Sequence, residues 1–276
     1  VAIGHQSLKN NTASLNVGIG ANTLRDNTSG YANSAIGNDA LRYNTTGYGN
    51  AAWGVEALLN NNTGYYNMAI GQIAMQSNTT GHRNVAVGGG ALSENVTGNF
   101  NTAIGDASMI YNTAGSFNTA IGPLALISNG TGDFNTAIGP YADVTSGGLT
   151  NAAAIGYGTM VNNSNKIRLG NTSVTVVEGN ASYTVSDGRF KSDLRQNVPG
   201  LDFVTRLQPV TYHFDYPAFS NFIGERGADR ASLEGRKEQI EAGFVAQQVE
   251  EVCQSLGMDY ANMVHAPESE FDNYSL

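Results

Sequence analysis

The chain of 276 residues contains 34 glycines and 32 asparagines, whereas only 13% of its residues are charged. Glycine does not recur at every third position, which excludes a collagen-like triple helix, and apolar residues recur too regularly for a disordered tail. The net charge of −9 is opposite to the basic footprint of a nucleic-acid binder, the single cysteine excludes an intrachain disulfide, and no apolar run reaches the roughly 18 to 20 residues of a membrane helix.

An apolar residue followed by glycine recurs along the first 156 residues with a nearly constant period. The first spacing between these glycines is 16 residues, and the following eight are 17 residues. Most units also have a large apolar residue four positions after the glycine, an asparagine after seven and a second glycine after ten. Periodicity of this kind predicts a stacked repeat architecture. The recurring glycines are Gly4, Gly20, Gly37, Gly54, Gly71, Gly88, Gly105, Gly122, Gly139 and Gly156.

Seventeen residues are too few for two helices and a turn, but they suit two short strands and two turns in one coil of a β-solenoid. Glycine and asparagine in fixed columns supply the positive φ angles that turns need. Stacked asparagine side chains can also hydrogen-bond along the stack. We therefore predict a mainly β fold in which residues 1–165 form parallel β-roll head repeats, a rod roughly 45 to 50 Å long if coils pair at about 4.8 Å.

The strand of each coil is apolar on both faces. One column holds large residues such as Ile104 and Ile121, and the neighbouring column holds alanines such as Ala103 and Ala120. Because successive strand residues point to opposite faces, a thin coil can bury only one of these columns. We expect the alanine ladder to face neighbouring chains in an oligomer, with a monomeric solenoid that exposes a plain alanine face as the alternative.

The asparagine-threonine-alanine-isoleucine-glycine segments at 101–105, 118–122 and 135–139 resemble the head repeats of trimeric autotransporter adhesins. That resemblance implies a left-handed parallel β-roll in a tight homotrimer at a cell surface. The 17-residue period is longer than the usual unit of that family, and we expect the extra residues to enlarge one outer loop in each coil.

The same outer loops carry a series of aromatic residues. A ladder of exposed rings could hold glycans or a partner, or the rings could stack on one another and cover the edge of the coils; the stacking interpretation is favoured. The residues are Tyr31, Tyr48, Tyr65, Tyr66, Phe100, Phe117 and Phe134.

The pattern changes after the last repeats. Residues 166–185 are predicted to form a β connector, with a final apolar-glycine coil at 166–170 and strands at 173–177 and 180–185. Further on, the spacing predicts a short helix around Phe203, a strand at 210–214, a loop or mobile insertion at 218–238 and a helix at 242–256 that ends before Gly257. Cys253 lies on the apolar face of that helix and is expected to be buried.

A serine and a lysine lie five positions apart at Ser186 and Lys191. Such a pair can form a nucleophilic dyad if the lysine amine is neutral, which requires burial or nearby positive charge such as that of Arg189. The spacing alone is more typical of a turn with solvated charges. The surrounding sequence supports the dyad. Segments 186–194, 200–203, 207–212 and 243–250 together resemble the C-terminal intramolecular chaperone domain of endosialidase-type phage tail spikes.

This second resemblance implies that residues 186–276 trimerise the fibre before them and then detach by autoproteolysis. Ser186 matches the nucleophile of that family and Lys191 its partner lysine. The cut falls next to Ser186, with the bond to Asp187 preferred and the other side left open. The domain of that family continues into a long coiled-coil helix that has not begun by Leu276, so we expect the chain to be a fragment that is truncated at its C-terminal end.

Two functions remain open from the sequence. The first is a trimeric fibre of a phage virion or bacterial surface whose chaperone domain is, at most, a single-turnover serine peptidase. The second is an adhesin that binds glycan or matrix through its outer loops and has a non-cleaving neck. A polysaccharide-cleaving enzyme is disfavoured, because the carboxylates of the repeats do not share a column and paired acids need a separation of about 5 to 10 Å. We expect no cofactor, metal site, nucleic-acid partner or membrane-inserted segment.

Overall fold

The computed structural model of the protein describes residues 1–175, 177, 200–225 and 230–258. The chain divides into two compact units, one built mainly from Val1–Asn171 and the other mainly from the residues after Asn171. The first unit is a parallel β-solenoid, and the second contains helices and a small antiparallel sheet.

The solenoid is organised around one sheet of 11 parallel strands. Its strands, with their labels in chain order, are β1 (Ala2–Ile3), β2 (Val17–Ile19), β3 (Ser34–Ile36), β4 (Ala51–Trp53), β5 (Met68–Ile70), β6 (Val85–Val87), β7 (Thr102–Ile104), β8 (Thr119–Ile121), β9 (Thr136–Ile138), β11 (Ala153–Ile155) and β13 (Ile167–Leu169). A second parallel pair, β10 (Asp143–Val144) with β12 (Met160–Val161), lies in the last coils.

Equivalent residues of successive coils are paired in register, for example Ala35 with Ala52 and Ala103 with Ala120. The prediction of a parallel solenoid with 17-residue coils is therefore confirmed, and the coil expected at 166–170 is present as β13. The prediction of two strands per coil is wrong for residues 1–140, where each coil contributes a single strand of two or three residues and closes through turns.

The turns close so tightly because several residues of each coil have left-handed backbone conformations. In the coil after β3, Gly37, Asp39 and Leu41 have φ angles of 130°, 58° and 51°. Glycine is required at the first of these positions, since a Cβ on Gly37 would lie 2.4 Å from the carbonyl oxygen of Gly54 in the next coil. Leu41 and its equivalents adopt a strained φ, but their side chains are fully buried, and that burial offsets the strain.

Two columns of buried asparagines run along the inside of the stack. In the first column, Asn61 donates its amide group to the side-chain oxygen of Asn44 in the preceding coil at 2.7 Å and to the carbonyl of Gly64 at 2.9 Å. In the second, which precedes each strand, the backbone N–H of Asn67 donates to the side chain of Asn50 at 3.0 Å. These ladders confirm the expected hydrogen bonding along the stack.

A buried carboxylate interrupts the column of large apolar residues, which resumes one coil later at Met160. Asp143 occupies the position that Leu126 holds one coil earlier, and it is fully buried. Its side-chain oxygen accepts hydrogen bonds from the backbone N–H groups of Ser128 at 3.0 Å and Val144 at 2.9 Å. The internal pattern of the solenoid therefore changes at this coil.

The described residues of the second unit form four short helices and a two-stranded sheet. Its elements are α1 (Gly200–Arg206), β14 (Val210–His213), α2 (Tyr216–Phe222), α3 (Arg230–Lys237), β15 (Ile240–Gly243) and α4 (Ala246–Ser255). Strands β14 and β15 are antiparallel, and α1 packs on α4 through buried Phe203, Val249 and Cys253. The predicted helix around Phe203, the strand after it and the burial of Cys253 are confirmed.

Several predictions for the connector and the C-terminal unit need correction or remain open. Residues 218–238 are not a plain loop, because α2 and α3 occupy most of them. The last helix begins at Ala246 rather than 242, since Ile240–Gly243 pairs with β14. The structure assigns no strand to the described residues 173–175 and 177, and the strand predicted at 180–185 lies outside the described residues. The domain limits at 165 and 185 stay predictions.

Candidate assembly face, ring ladder and cleavage segment

The outward face of the strands is a continuous apolar stripe, which we call the isoleucine face. The middle residue of strands β2 to β9 and β11, such as Ala120, is buried inside the coil, whereas the following residue, such as Ile121, is 40% exposed. The isoleucine face consists of Ile3, Ile19, Ile36, Trp53, Ile70, Val87, Ile104, Ile121, Ile138, Ile155 and Leu169.

The prediction that the alanine ladder faces neighbouring chains is therefore wrong. Alanine points inward because the interior must also hold the large column of Leu126 and its equivalents together with two asparagine columns, which leaves room only for a methyl group opposite. The larger residues point outward, and no other described element of the solenoid covers them. The signal for this orientation was Trp53, whose ring could not enter a coil of uniform width.

The outer loops carry a ladder of stacked rings. Tyr31, Tyr48 and Tyr65 stack with centroids 5.0 Å apart, and His82 continues the stack at 4.5 Å. Phe100 meets His82 edge-on at 5.5 Å. A second stack then runs through Phe100, Phe117 and Phe134 with separations of 4.9 and 5.2 Å. We call these seven residues the ring ladder, and their stacking confirms the favoured interpretation of the aromatic series.

The ring ladder shifts by one repeat position between His82 and Phe100. Tyr66 and Arg83 lie beside the ladder at this point. Tyr66 lies perpendicular to Tyr48 and Tyr65, at interplanar angles of 77° and 76°. The guanidinium of Arg83 lies 5.6 Å from the Tyr65 ring centroid. Burial, together with the positive charge of Arg83, lowers the pKa of His82. At neutral pH, Arg83 is therefore the main positive charge of this part of the ladder.

In the C-terminal unit, polar contacts link α2, α3 and β15. The hydroxyl of Tyr216 donates to Glu241 at 2.7 Å, and the guanidinium of Arg236 lies 3.9 Å from the centroid of the Tyr216 ring. Asp215 accepts a hydrogen bond from the backbone N–H of Ala218 and forms an ion pair with Lys237 at 3.1 Å. Both contacts lower the pKa of the Asp215 carboxyl, and the hydrogen bond from the backbone N–H of Ala218 has the larger effect.

The residues expected to perform self-cleavage, Ser186, Asp187 and Lys191, lie outside the described residues. Their assignment as nucleophile, cut site and partner lysine therefore stays a prediction. Across the described parts of the chain, no cluster of three or more His, Cys, Asp or Glu side chains is placed to hold a metal ion. None of the described helices combines the length and apolar character needed to cross a bilayer.

A search of curated proteins gives no match to this chain. A family model does match part of it: residues 186–258 match the model described as chaperone of endosialidase. The matched range contains α1 to α4 and the antiparallel pair, and it also contains the serine and lysine singled out from the sequence. The chain thus combines a parallel β-solenoid with a C-terminal region that matches the chaperone of endosialidase family.

Proposed function

We propose that this chain is a segment of a homotrimeric fibre, on a phage virion or a bacterial surface, whose C-terminal domain is an intramolecular chaperone for trimerisation. The observation that carries this proposal is the isoleucine face, which runs along all the coils and is left open on a single chain. Apolar stripes of this extent mark interaction surfaces on soluble proteins. The match to a chaperone family directly after the solenoid supports a second copy of the same chain as the partner.

The proposed trimer buries the three isoleucine faces against one another along a common axis. Isolated coils gain this contact only after three chains have met, so assembly of the solenoid alone would be slow and prone to aggregation. A terminal domain that associates first would raise the effective concentration of the three solenoids. The proposed role of residues 186–276 is to supply that first association.

Sedimentation equilibrium tests the trimer directly, using the 276-residue chain with Ser186→Ala to prevent any cleavage. We expect a mass of about 87 kDa, three times 29.0 kDa. Replacing Ile104, Ile121 and Ile138 by Glu should abolish the trimer, because nine like charges would be desolvated around one axis. The matched control introduces Glu at Val55, Val96 and Tyr111, which are exposed apolar residues outside the strands. This control should leave the trimer intact. A monomeric parent chain, or equal behaviour of both triple variants, would contradict the proposal.

We further propose that the chaperone domain is released by serine-lysine autoproteolysis at Ser186. The hydroxyl of Ser186 would attack a backbone carbonyl while neutral Lys191 takes its proton; the amine would leave with a proton, and water would hydrolyse the resulting ester. Release after assembly would remove the element that refolding requires, and the fibre would then be kinetically stable.

Denaturing electrophoresis of the full-length protein tests this step. The wild type should give two pieces, with an N-terminal piece that ends at or next to residue 186. Ser186→Ala and Lys191→Ala should each give one uncut band, while the neighbouring substitution Ser192→Ala should leave cleavage unchanged. An uncut wild type, or a Ser186→Ala variant that is still cut, would refute the dyad.

A second candidate function, adhesion through the outer loops, is supported by the half-exposed ring ladder. It is compatible with the fibre and does not require cleavage.

A further inference from the structure

Arg83 is held on a platform of aromatic rings at the middle of the ring ladder. Its guanidinium carbon lies 5.6, 5.8 and 5.4 Å from the ring centroids of Tyr65, Tyr66 and Phe100. All three distances are within the range of cation–π attraction. The side chain is exposed, so its charge is positioned by the rings and still faces solvent.

Two other arginines of the solenoid lie near a ring but differ in their charge balance. Arg25 and Arg42 lie 5.8 and 5.0 Å from the centroid of Tyr43. Each is paired with an aspartate, Arg25 with Asp26 at 2.6 Å and Arg42 with Asp39 at 3.0 Å. In the described parts of the chain, Arg83 has no carboxylate within ion-pair distance. It therefore presents a positioned positive charge that no described carboxylate neutralises.

The ring of Tyr66 lies beside this charge because the residue at position 49 is a glycine, which has no side chain. A Cβ on Gly49, in the preceding coil, would lie 2.6 Å from Cδ1 of the Tyr66 ring. Tyr66 therefore fits only because residue 49 is glycine. Its ring is 53% exposed and stands perpendicular to the stacked tyrosines, so it is not covered as they are by rings above and below. Ring surface, a phenolic hydroxyl and a guanidinium thus meet at one exposed place.

We propose that Tyr65, Tyr66, Arg83 and Phe100, which we call the arginine patch, bind a carboxylate-bearing sugar of an acidic polysaccharide. The planar guanidinium matches a carboxylate with two parallel hydrogen bonds. Pyranose rings offer apolar C–H faces to aromatic rings and hydroxyls to the phenolic groups, a combination typical of ligand sites with aromatic walls and a few polar groups. This inference rests on the second candidate function, adhesion, and not on cleavage.

The repeat geometry favours a polymer over a single small ion. Stacked tyrosines recur at 5.0 Å on one side of Arg83, and stacked phenylalanines recur at 4.9 and 5.2 Å on the other side. A linear glycan lying along the coils would therefore meet aromatic ring surface on both sides of Arg83. Three copies of the patch in a trimer would add avidity. An acidic peptide also carries carboxylates, but it has no counterpart to the hydroxyl-rich, ring-shaped surface that the aromatic residues fit.

Isothermal titration of the Ser186→Ala chain at low ionic strength tests the proposal with three defined probes: hexagalacturonate, its methyl ester and hexaglutamate. We expect hexagalacturonate to bind, the ester and the peptide to bind at least tenfold more weakly, and Arg83→Gln to weaken hexagalacturonate at least tenfold. The matched control Arg42→Gln removes an arginine that is already paired and should leave the affinity unchanged.

The proposal is overturned if hexagalacturonate does not bind, if Arg83→Gln binds it as well as the parent chain, or if hexaglutamate binds equally tightly. The last result would assign a simple anion patch in place of a sugar site. Sedimentation of the same samples reports the oligomeric state separately, so a failure of the trimer proposal is distinguishable from a failure of the arginine patch. Circular dichroism of each variant verifies that the solenoid is intact.

Discussion

Replacing one internal asparagine by alanine should destabilise the solenoid strongly, and Asn61 is the best position for the test. Its side chain is fully buried, donates to Asn44 at 2.7 Å and to Gly64 at 2.9 Å, and accepts from Asn78 at 2.7 Å. In Asn61→Ala the side-chain oxygen of Asn44 loses its donor, one amide N–H of Asn78 loses its acceptor, and both groups stay buried. The carbonyl of Gly64 keeps a second donor, Asn50, at 2.9 Å.

A buried acceptor on Asn44 and a buried N–H on Asn78 are left without partners, at a cost of about 1–3 kcal/mol each, and the shortened side chain also leaves a small cavity. We therefore expect the free energy of unfolding to fall by at least about 2 kcal/mol. Equilibrium unfolding in guanidinium chloride, followed by circular dichroism at one fixed protein concentration, measures the difference.

The neighbouring residue provides the matched control. Asn60 is exposed, and Asn60→Ala should change the free energy of unfolding by less than about 0.5 kcal/mol. If Asn61→Ala and Asn60→Ala were equally stable, the asparagine column would not hold the coils together, and the explanation of the repeat given above would be wrong.

Two further changes test the turns and the C-terminal unit. Gly37→Ala should lower the free energy of unfolding by about 3 kcal/mol or more, because φ is 130° and the new Cβ would lie 2.4 Å from the carbonyl oxygen of Gly54; Gly148→Ala, with no atom within 4 Å of its Cβ, should be nearly neutral in the same denaturation assay. The Asp215 carboxyl should titrate below its ordinary pKa of 3.8 in an NMR titration, and Lys237→Ala should raise that midpoint, because the cation no longer favours the carboxylate. Since the folded pKa is the lower one, the stabilising contribution of Asp215 is complete above its ordinary pKa of 3.8 and is lost as pH falls through the folded value. A midpoint above 3.8 would contradict the observed contacts.

The stacking of the solenoid can be predicted from the sequence, because the repeat period equals the sequence separation between paired residues of successive strands. A 17-residue spacing brings Ala103 and Ala120 into register only if coils lie directly on one another. The orientation of the strand could not be predicted from the polarity of the alanine and isoleucine columns, because both columns are apolar. Side-chain volume decides it, and the variation among Trp53, Val87 and Ile104 in one column against constant alanine in the next was the available signal.

In the C-terminal unit, the errors have a tertiary cause. The helix predicted from residue 242 includes Ala242 and Gly243, because periodicity alone does not mark where the helix begins. Pairing with Thr211 and Val210 makes these two residues part of a strand, and this contact spans about 30 residues of sequence. The proposed dyad of Ser186 and Lys191 is a different case, since it depends on a family resemblance and on residues outside the described part of the chain.

The regularity that makes the solenoid predictable also explains why it would need a separate assembly domain. Strands β7, β8 and β9 present the same outward pair, threonine and isoleucine, on three successive coils. If one chain of a trimer were displaced by a single coil, these strands would meet the same side chains as in the correct register. Only irregular positions such as Trp53 and Met68 would oppose the shift. In the proposed trimer, contacts along the isoleucine face would therefore favour association but specify register weakly. A domain outside the repeats that associates in one way only would remove this ambiguity before the coils meet.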